Sequence, residues 1–341
     1  MNTAQLARRS KLLLIYNHKD ISSAIDRYLL NFTYTDYANG KADDLQITLE
    51  DREGLWRSDW FPGKGARLWS GLAVNNWNEN QYSEGVSLGI FEIDEIDLNG
   101  PPDTAALKAT SVPITSSLSG ETKTRAWENT RLSVIGADIA RLAGMELFYD
   151  TDDDPEYDRI EQTEQADLPF LQKLCEDAGL SLKVTGMQLV IFDDSKYEQM
   201  PPVKTIKRGA SNIISYSGRS QTREIYSACR VEYKGGKQKE NISFTYVPPN
   251  RPNTGKNLVI NERVSSIAAA ERLAKKRLRQ KNCEEMTFSL NLLGDISMMA
   301  GVTIILEGWG VFDGRYFINQ ATHSGPGYVV ALELRRVLEG Y

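Results

Sequence analysis

The amino-acid sequence predicts a mainly β protein in which a small α+β module lies between two β-barrel domains. Three observations predict it. Apolar and polar residues alternate with period two over residues 12 to 112 and again after residue 200. Between about 124 and 195 the apolar spacing becomes helical, and Gly, Pro and Asn clusters punctuate the alternating runs. The domains are therefore drawn at 1–123, 124–199 and 200–341.

In the first β-domain, Leu45, Ile47 and Leu49 alternate with Gln46, Thr48 and Glu50, and Ile90 to Leu98 alternates around Glu92, Asp94 and Asp97. Turn signals at Asn39-Gly40, Pro62-Gly63, Gly85 and Asn99-Gly100-Pro101 divide the segment into about six strands at barrel spacing. Residues before Lys11 carry no such pattern and are expected to form a flexible arm. In the middle module, Leu132, Ile135, Ile139 and Leu142 mark a helix that stops at Ala143-Gly144, followed by a strand from Met145 to Tyr149. Leu168, Leu171 and Leu174 repeat the arrangement before Ala178-Gly179, and Leu180–Val184 and Gln188–Phe192 read as strands. In each half, Gly stands where a left-handed residue ends a helix. After Met200-Pro201-Pro202 the period of two returns in Ser227–Tyr233, Asn241–Tyr246, Met286 to Leu292, Val302–Leu306, Tyr316–Ile318 and Val330 to Leu334. One helix interrupts these strands from about Ser266 to Lys281, with Ile267, Ala270, Ala274 and Leu278 along one stripe.

Composition narrows the chemistry. The 341 residues hold 40 Lys and Arg against 46 Asp and Glu, a net charge of −6 that disfavours a default nucleic-acid binder. Two histidines, His18 and His323, and three cysteines, Cys175, Cys229 and Cys283, leave few soft metal ligands, and no C-x-x-C spacing occurs. Three thiols cannot all pair within one chain, so buried free thiols in a reducing compartment are expected. No apolar run reaches the length of a membrane span, and Leu12–Tyr16 is too short for a secretory signal, so membrane insertion is not expected.

The candidate sites are few. The run Asp150 to Glu161 places Asp150, Asp152, Asp154, Asp158 and Glu161 at calcium-loop spacing, but Pro155 occupies the position that requires a flexible Gly. A solvated acidic turn is the preferred reading. Arg272, Lys275, Lys276, Arg277, Arg279 and Lys281 read as the solvated face of an amphipathic helix, with Arg272, Lys276 and Arg279 as assembly contacts if that helix meets a partner. His323, in a turn-like Thr-His-Ser-Gly-Pro-Gly, has no nucleophile nearby in sequence. Trp56, Trp60, Trp69 and Trp77 crowd into a short stretch and read as core and seam rather than a sugar platform. Gly63-Lys64-Gly65 lacks the flanks of a phosphate cradle, and no G-x-S-x-G elbow or P-loop is present.

Taken in order, the segments Asp43-Asp-Leu-Gln-Ile-Thr-Leu-Glu-Asp-Arg-Glu-Gly-Leu-Trp56 and Asp59-Trp60-Phe-Pro62-Gly-Lys-Gly65-Ala-Arg-Leu68 resemble the late control protein D family. These are baseplate hub proteins of contractile phage tails and R-type bacteriocins. The resemblance continues through Ile160–Thr163, Asp167–Leu174, Ala178-Gly179, Ser265–Leu278 and Gly308–Ile318. It implies two tail-tube-like β-barrels flanking the α+β module, similar to the hub portion of the type VI secretion spike. It further implies a homotrimeric ring that joins a hexameric tail tube to a trimeric central spike around an axial channel. Trp56, Trp60, Pro62, Gly65 and Trp69 then become structural or interface candidates. The implied partners are the tail tube protein, the central spike protein and baseplate wedge proteins, with tape-measure protein as an optional one and DNA only as transiting cargo. The expected location is a virion or bacteriocin particle assembled in the bacterial host cytoplasm. The expected role is structural, with no enzyme activity and no cofactor. The chain stops soon after its last strand, so spike and any lytic enzyme are expected as separate chains. The rival readings are a tail-associated cell-wall hydrolase working through paired carboxylates and a carbohydrate-binding tail module using Trp56 to Trp77.

Overall fold

The protein is described by a computed structural model that covers all residues except 1–5, 17, 64, 78–80, 113–117, 119, 186, 234–240, 263 and 265. Lys64 of the Pro62–Leu68 motif and Ser265 lie outside the described residues.

The first β-unit comprises β1 (Arg9–Tyr16), β2 (Lys19–Asp20), the short helix α1 (Ser22–Asp26), β3 (Leu29–Tyr37), β4 (Asp44–Glu50), β5 (Arg67–Asn75), β6 (Ser83–Asn99) and β7 (Thr104–Thr110). Its strands lie in the order β2-β1-β5-β6-β7-β4-β3. The long β6 pairs with β5 through its first half and with β7 through its second, and register shifts occur in both ladders. Such irregularities bend a sheet and let one strand serve two walls of a curved structure. The alternation seen in sequence puts Leu45, Ile47 and Leu49 inward with Phe32, Leu72, Phe91 and Ala105. The N-terminal segment is committed earlier than expected. Strand β1 begins at Arg9, and the Arg8 guanidinium lies 5.7 Å from the centre of the Trp77 ring.

The middle segment contains β8 (Lys123–Arg131), α2 (Leu132–Leu142), β9 (Glu146–Asp150), β10 (Glu156–Gln165), α3 (Asp167–Asp177), β11 (Ser181–Thr185), β12 (Gln188–Phe192) and α4 (Asp194–Glu198). Both main helices end where the sequence places Gly, with Gly144 at φ +68° and Gly179 at φ +69°. Leu132, Ile135 and Ile139 of α2 and Phe170, Leu171 and Leu174 of α3 pack on a sheet ordered β11-β12-β9. Within it, β12 runs antiparallel to β11 and parallel to β9. Strands β8 and β10 form a separate antiparallel ribbon laced by Arg131–Glu156 and Arg159–Glu128 pairs. Its few apolar residues, Trp127, Tyr157 and Ile160, pack on the module's core but are too scattered to leave a regular alternation in the sequence.

The remaining segment holds β13 (Lys204–Lys207), β14 (Ile213–Ser220), β15 (Ala228–Tyr233), β16 (Ile242–Tyr246), β17 (Asn257–Ile260), α5 (Ile267–Asn282), β18 (Met286–Leu293), β19 (Thr303–Glu307), β20 (Gly314–Gly325) and β21 (Val329–Arg336). The stripe Ala270, Ala274 and Leu278 of α5 covers a small separate sheet, β16-β15-β17, through Cys229, Val231 and Ile260. Ser266 caps this helix, its hydroxyl accepting the Ala269 N–H at 3.1 Å. The larger set of strands encloses Phe288, Leu290, Ile304, Tyr316, Ile318 and Leu332.

The two β-units are one hydrogen-bonded sheet. Strand β20 pairs antiparallel with β3 from Gln320↔Tyr37 to Gly325↔Phe32, giving the continuous order β14-β18-β21-β20-β3-β4-β7-β6-β5-β1-β2. Gly325 makes this approach possible, because a Cβ there would fall 2.2 Å from the Phe32 ring.

Candidate functional site

A sheet with one apolar face necessarily presents its other face elsewhere. Reading along the ladders, Ser215, Asn291, Ala331, Thr322, Thr35, Asp44 and Thr110 lie side by side across seven strands. A parallel row runs Ser324, Thr33, Gln46, Lys108 and Glu95. None of these side chains is buried. Asn291 donates to Ser215 Oγ at 2.7 Å and Ser289 to Glu333 Oε2 at 2.7 Å. Lys108 is neutralised by Glu95 at 2.7 Å and Asp97 at 3.1 Å. The result is a broad wall of hydroxyl and amide groups with few unpaired charges, uninterrupted where β20 meets β3.

On the same face of β21, beside this wall, the middle and last segments are locked together by ion pairs. Glu198 of α4 accepts from Arg335 of β21 and Arg279 of α5, and its carbonyl accepts from Arg315 at 3.1 Å. Arg335 also donates to Asp194 at 2.9 Å and to Asn319 at 3.0 Å. Lys276 meets Asp153 and, at 3.1 Å, Asp193, while Arg272 approaches Asp153 at 3.5 Å. Burial works to raise the Asp193 carboxyl, but Lys276 and the Ser195 hydrogen bonds outweigh it and hold it below its ordinary value. A cavity of about 420 Å³ sits at this junction, lined among others by Lys41, Asp194, Lys276, Arg279, Glu333 and Arg335.

These contacts correct the reading of the basic helix as simply solvated. Lys276 and Arg279 are mostly covered, because the surface packed against α5 carries Asp153, Asp193 and Glu198. Arg272, Lys275 and Lys281 keep substantial exposure. Asp153 was not singled out by the calcium-loop spacing, and no local signal marks it.

The acidic run does not gather into a ligand cage. Asp150 accepts from Lys196 and from the Tyr197 hydroxyl, and Asp154 accepts from the backbone and hydroxyl of Ser133. Asp152 is exposed between them, and Asp158 and Glu161 are carried away along β10, where Glu161 pairs with Arg159. Among the described residues no three His, Cys, Asp or Glu side chains are grouped to hold a metal ion.

The tryptophans divide. Trp56 is buried and meets Trp60 edge-on at 5.5 Å, and Trp60 in turn meets Tyr28 at 5.8 Å. Trp69 donates to Ser87 at 3.0 Å on the outside of β5. Trp77 bridges the β-units, donating to the Gly294 carbonyl and packing 5.3 Å from Tyr328. Pro62 and Gly65 lie in the long β4–β5 connection beside this cluster, with Gly65 at φ +70°. His323 is not in a turn. It sits inside β20, fully buried, between the Tyr328 hydroxyl at 2.8 Å and the Met298 carbonyl at 3.0 Å.

No family model matches the chain. Two curated relatives do, each named a probable baseplate hub protein, from Escherichia phages 186 and P2. Both are 28% identical over a stretch covering 53% of this chain and 44% of the relative. The chain thus spans less than two thirds of the length of the relatives it matches. Among solved structures, a tail protein from Neisseria meningitidis MC58 superposes with a TM-score of 0.71 at 12% identity, covering 96% of this chain and 97% of that one. A 43 kDa tail protein of prophage MuSo2 from Shewanella oneidensis gives 0.67 at 14% identity over 96% and 98%. The Escherichia coli c3393 protein, a type VI secretion component described as similar to phage T4 gp27 and gp5, gives 0.57 at 12% identity over 92% and 75%. At these identities the solved structures establish a shared fold, mainly β and tail-protein-like. No helix among the described residues is long and apolar enough to cross a membrane. The resemblance read from the sequence holds: over about half its length the chain is similar to the probable baseplate hub proteins of phages 186 and P2.

Proposed function

We propose that the chain is a structural baseplate hub, non-enzymatic, whose copies close into a trimeric ring around an axial channel. The observation that carries this reading is the continuous polar wall spanning β14 to β7, which two separate barrels would not provide. Two β-units in each of three copies supply six tube-like segments, a number suited to a hexameric tube on one side and a trimeric spike on the other. Such a ring closes by head-to-tail contacts, which use different surfaces of each subunit. The wall would face the lumen, where hydroxyl and amide groups let a polyanion or an extended protein pass without adhering. The ion-paired junction would hold the second β-unit and the middle module in fixed relation, and the β20–β3 ladder would hold the two β-units, so that ring geometry is set within each subunit.

The purified chain is expected to form trimers by mass photometry, with a central hole in negative-stain images. A monomer at high concentration that degrades cell walls would sink the reading in favour of a hydrolase.

A further inference from the structure

A second junction, where the middle module meets the first β-unit, is built differently from the one around Glu198. Asp36 of β3 and Asp43 just before β4 are almost wholly buried, with side-chain exposures of 4% and 2%. They share one cation, Lys183 of β11, which contacts Asp36, lies 3.6 Å from Asp43 and donates to the Tyr37 carbonyl at 2.8 Å. Asp36 Oδ2 also accepts the Ala300 N–H at 2.8 Å, which brings in the second β-unit. Two buried carboxyls thus stand against a single ammonium, and a proton on one of them removes the uncompensated negative charge.

We propose that this junction is a proton-linked latch, in which a proton on Asp43 holds the middle module on the first β-unit and its loss loosens that hold. Burial, with the Asp36 charge adding to it and Lys183 opposing it, pushes Asp43 up to about 7. The other groups facing the pair do not take over the titration. Tyr34 and Tyr37 of β3 are raised by burial and remain neutral. His323 of β20 is lowered by burial, away from its charged form. Lys41 lies over the Tyr37 ring at 5.2 Å and opposes the burial that raises Asp44 of β4.

The backbone contacts that the latch guards are identifiable. Gly40 N–H donates to the Leu182 carbonyl at 2.9 Å, Ser111 Oγ donates to the Val184 carbonyl at 3.1 Å, and Asn39 reaches Ser181 at 3.0 Å. When the junction opens, water reaches Asp43 and its affinity for the proton falls toward that of an ordinary aspartate. The closed form therefore binds more protons than the open form between about pH 4 and 7, and opening becomes easier as pH rises through that window. The Glu198 junction has two arginines against Glu198 and Asp194, with no carboxyl pair short of a cation. It should be indifferent to pH over the same range, leaving the middle module attached to the second β-unit while its other edge is released.

Hydrogen exchange measured by mass spectrometry on the full chain, corrected for intrinsic rates, tests this. In peptides spanning 36–44 and 180–185 the opening constant should rise about tenfold per unit from pH 5 to 7 and flatten above, while peptides across 194–199 hold steady. Asp43→Asn, which removes the titrating carboxyl, should abolish the slope. If that variant fails to fold, Asp36→Asn removes the neighbouring charge that helps push Asp43 up and should move the slope to lower pH. A flat profile in the unsubstituted chain, an equal slope across 194–199, or an unchanged slope in the folded Asn variant would overturn the proposal.

Discussion

His323 illustrates how a single side chain takes its meaning from what surrounds it. Its sequence context reads as a turn, yet the ring is sealed inside β20 with both nitrogens engaged. The Met298 carbonyl can only accept, so Nε2 carries the proton and Nδ1 accepts from Tyr328. Burial lowers its proton affinity below the ordinary 6.5. A group depressed in the folded state contributes stability above its unfolded value, and that stability is lost as pH falls through its folded value. Relative to His323→Gln, the denaturant midpoint of the unsubstituted protein should therefore fall as pH drops below 6.5. That variant should also lose about 1–3 kcal/mol at pH 7.5 through its imperfectly satisfied partners. The thiols behave similarly. Burial pushes Cys175 up to about 12 and Cys229 and Cys283 to about 11. Iodoacetamide at pH 8 should label all three slowly until denaturant is added, as intact mass would show. Their odd number showed that at least one thiol is unpaired; that all three are free, and that burial suppresses their reactivity, required the structure.

At the scale of elements, the helices were legible because stripe and stop signals coincide. Gly144 and Gly179 end α2 and α3 where the sequence placed them, whereas the polar strands β8, β10 and β14 left no alternation to detect. Gly179 is doubly constrained: its φ is +69°, and a Cβ would meet Lys276 Cβ at 2.4 Å. Gly179→Ala should destabilise the chain by roughly 1–3 kcal/mol and shift its thermal midpoint down, because strain and displacement of Lys276 act together. Gly144→Ala, with open space around it, should cost less. The basic face of α5 was visible in sequence, but its partners Asp153, Asp193 and Glu198 are distant along the chain and carry no local mark. Glu198 is 1% exposed and bridges two arginines. Glu198→Gln should cost about 3–5 kcal/mol in urea unfolding, since removing one member leaves buried cations underpaired. The exposed pair Arg159–Glu128 should tolerate Glu128→Gln within about 1 kcal/mol.

For the whole molecule, period-two alternation revealed two β-units but not their fusion into one sheet. The β20–β3 ladder joins residues near opposite ends of the chain, and its edge chemistry is no different from that of any other strand. What alternation did contain was the wall itself: Thr33, Thr35, Gln46, Thr48, Thr322 and Ser324 are the polar half of the same pattern that located the core. If that face lines a channel, Thr35→Lys and Gln46→Lys together should leave the thermal midpoint nearly unchanged. They should nevertheless create salt-sensitive DNA retention that the unsubstituted protein lacks, as filter binding across a salt series would read.

The β20–β3 ladder also sets a timetable for synthesis. At roughly 5–20 residues per second, a ribosome needs about 15–60 s after finishing β3 before β20 exists to cover it. Until then every nascent chain carries a bare strand edge at the seam of its sheet, and neighbours on one messenger carry the same edge. Chains truncated before β20 should consequently be recovered as aggregates even though the whole apolar core of the first β-unit, apart from Tyr328, has already been made.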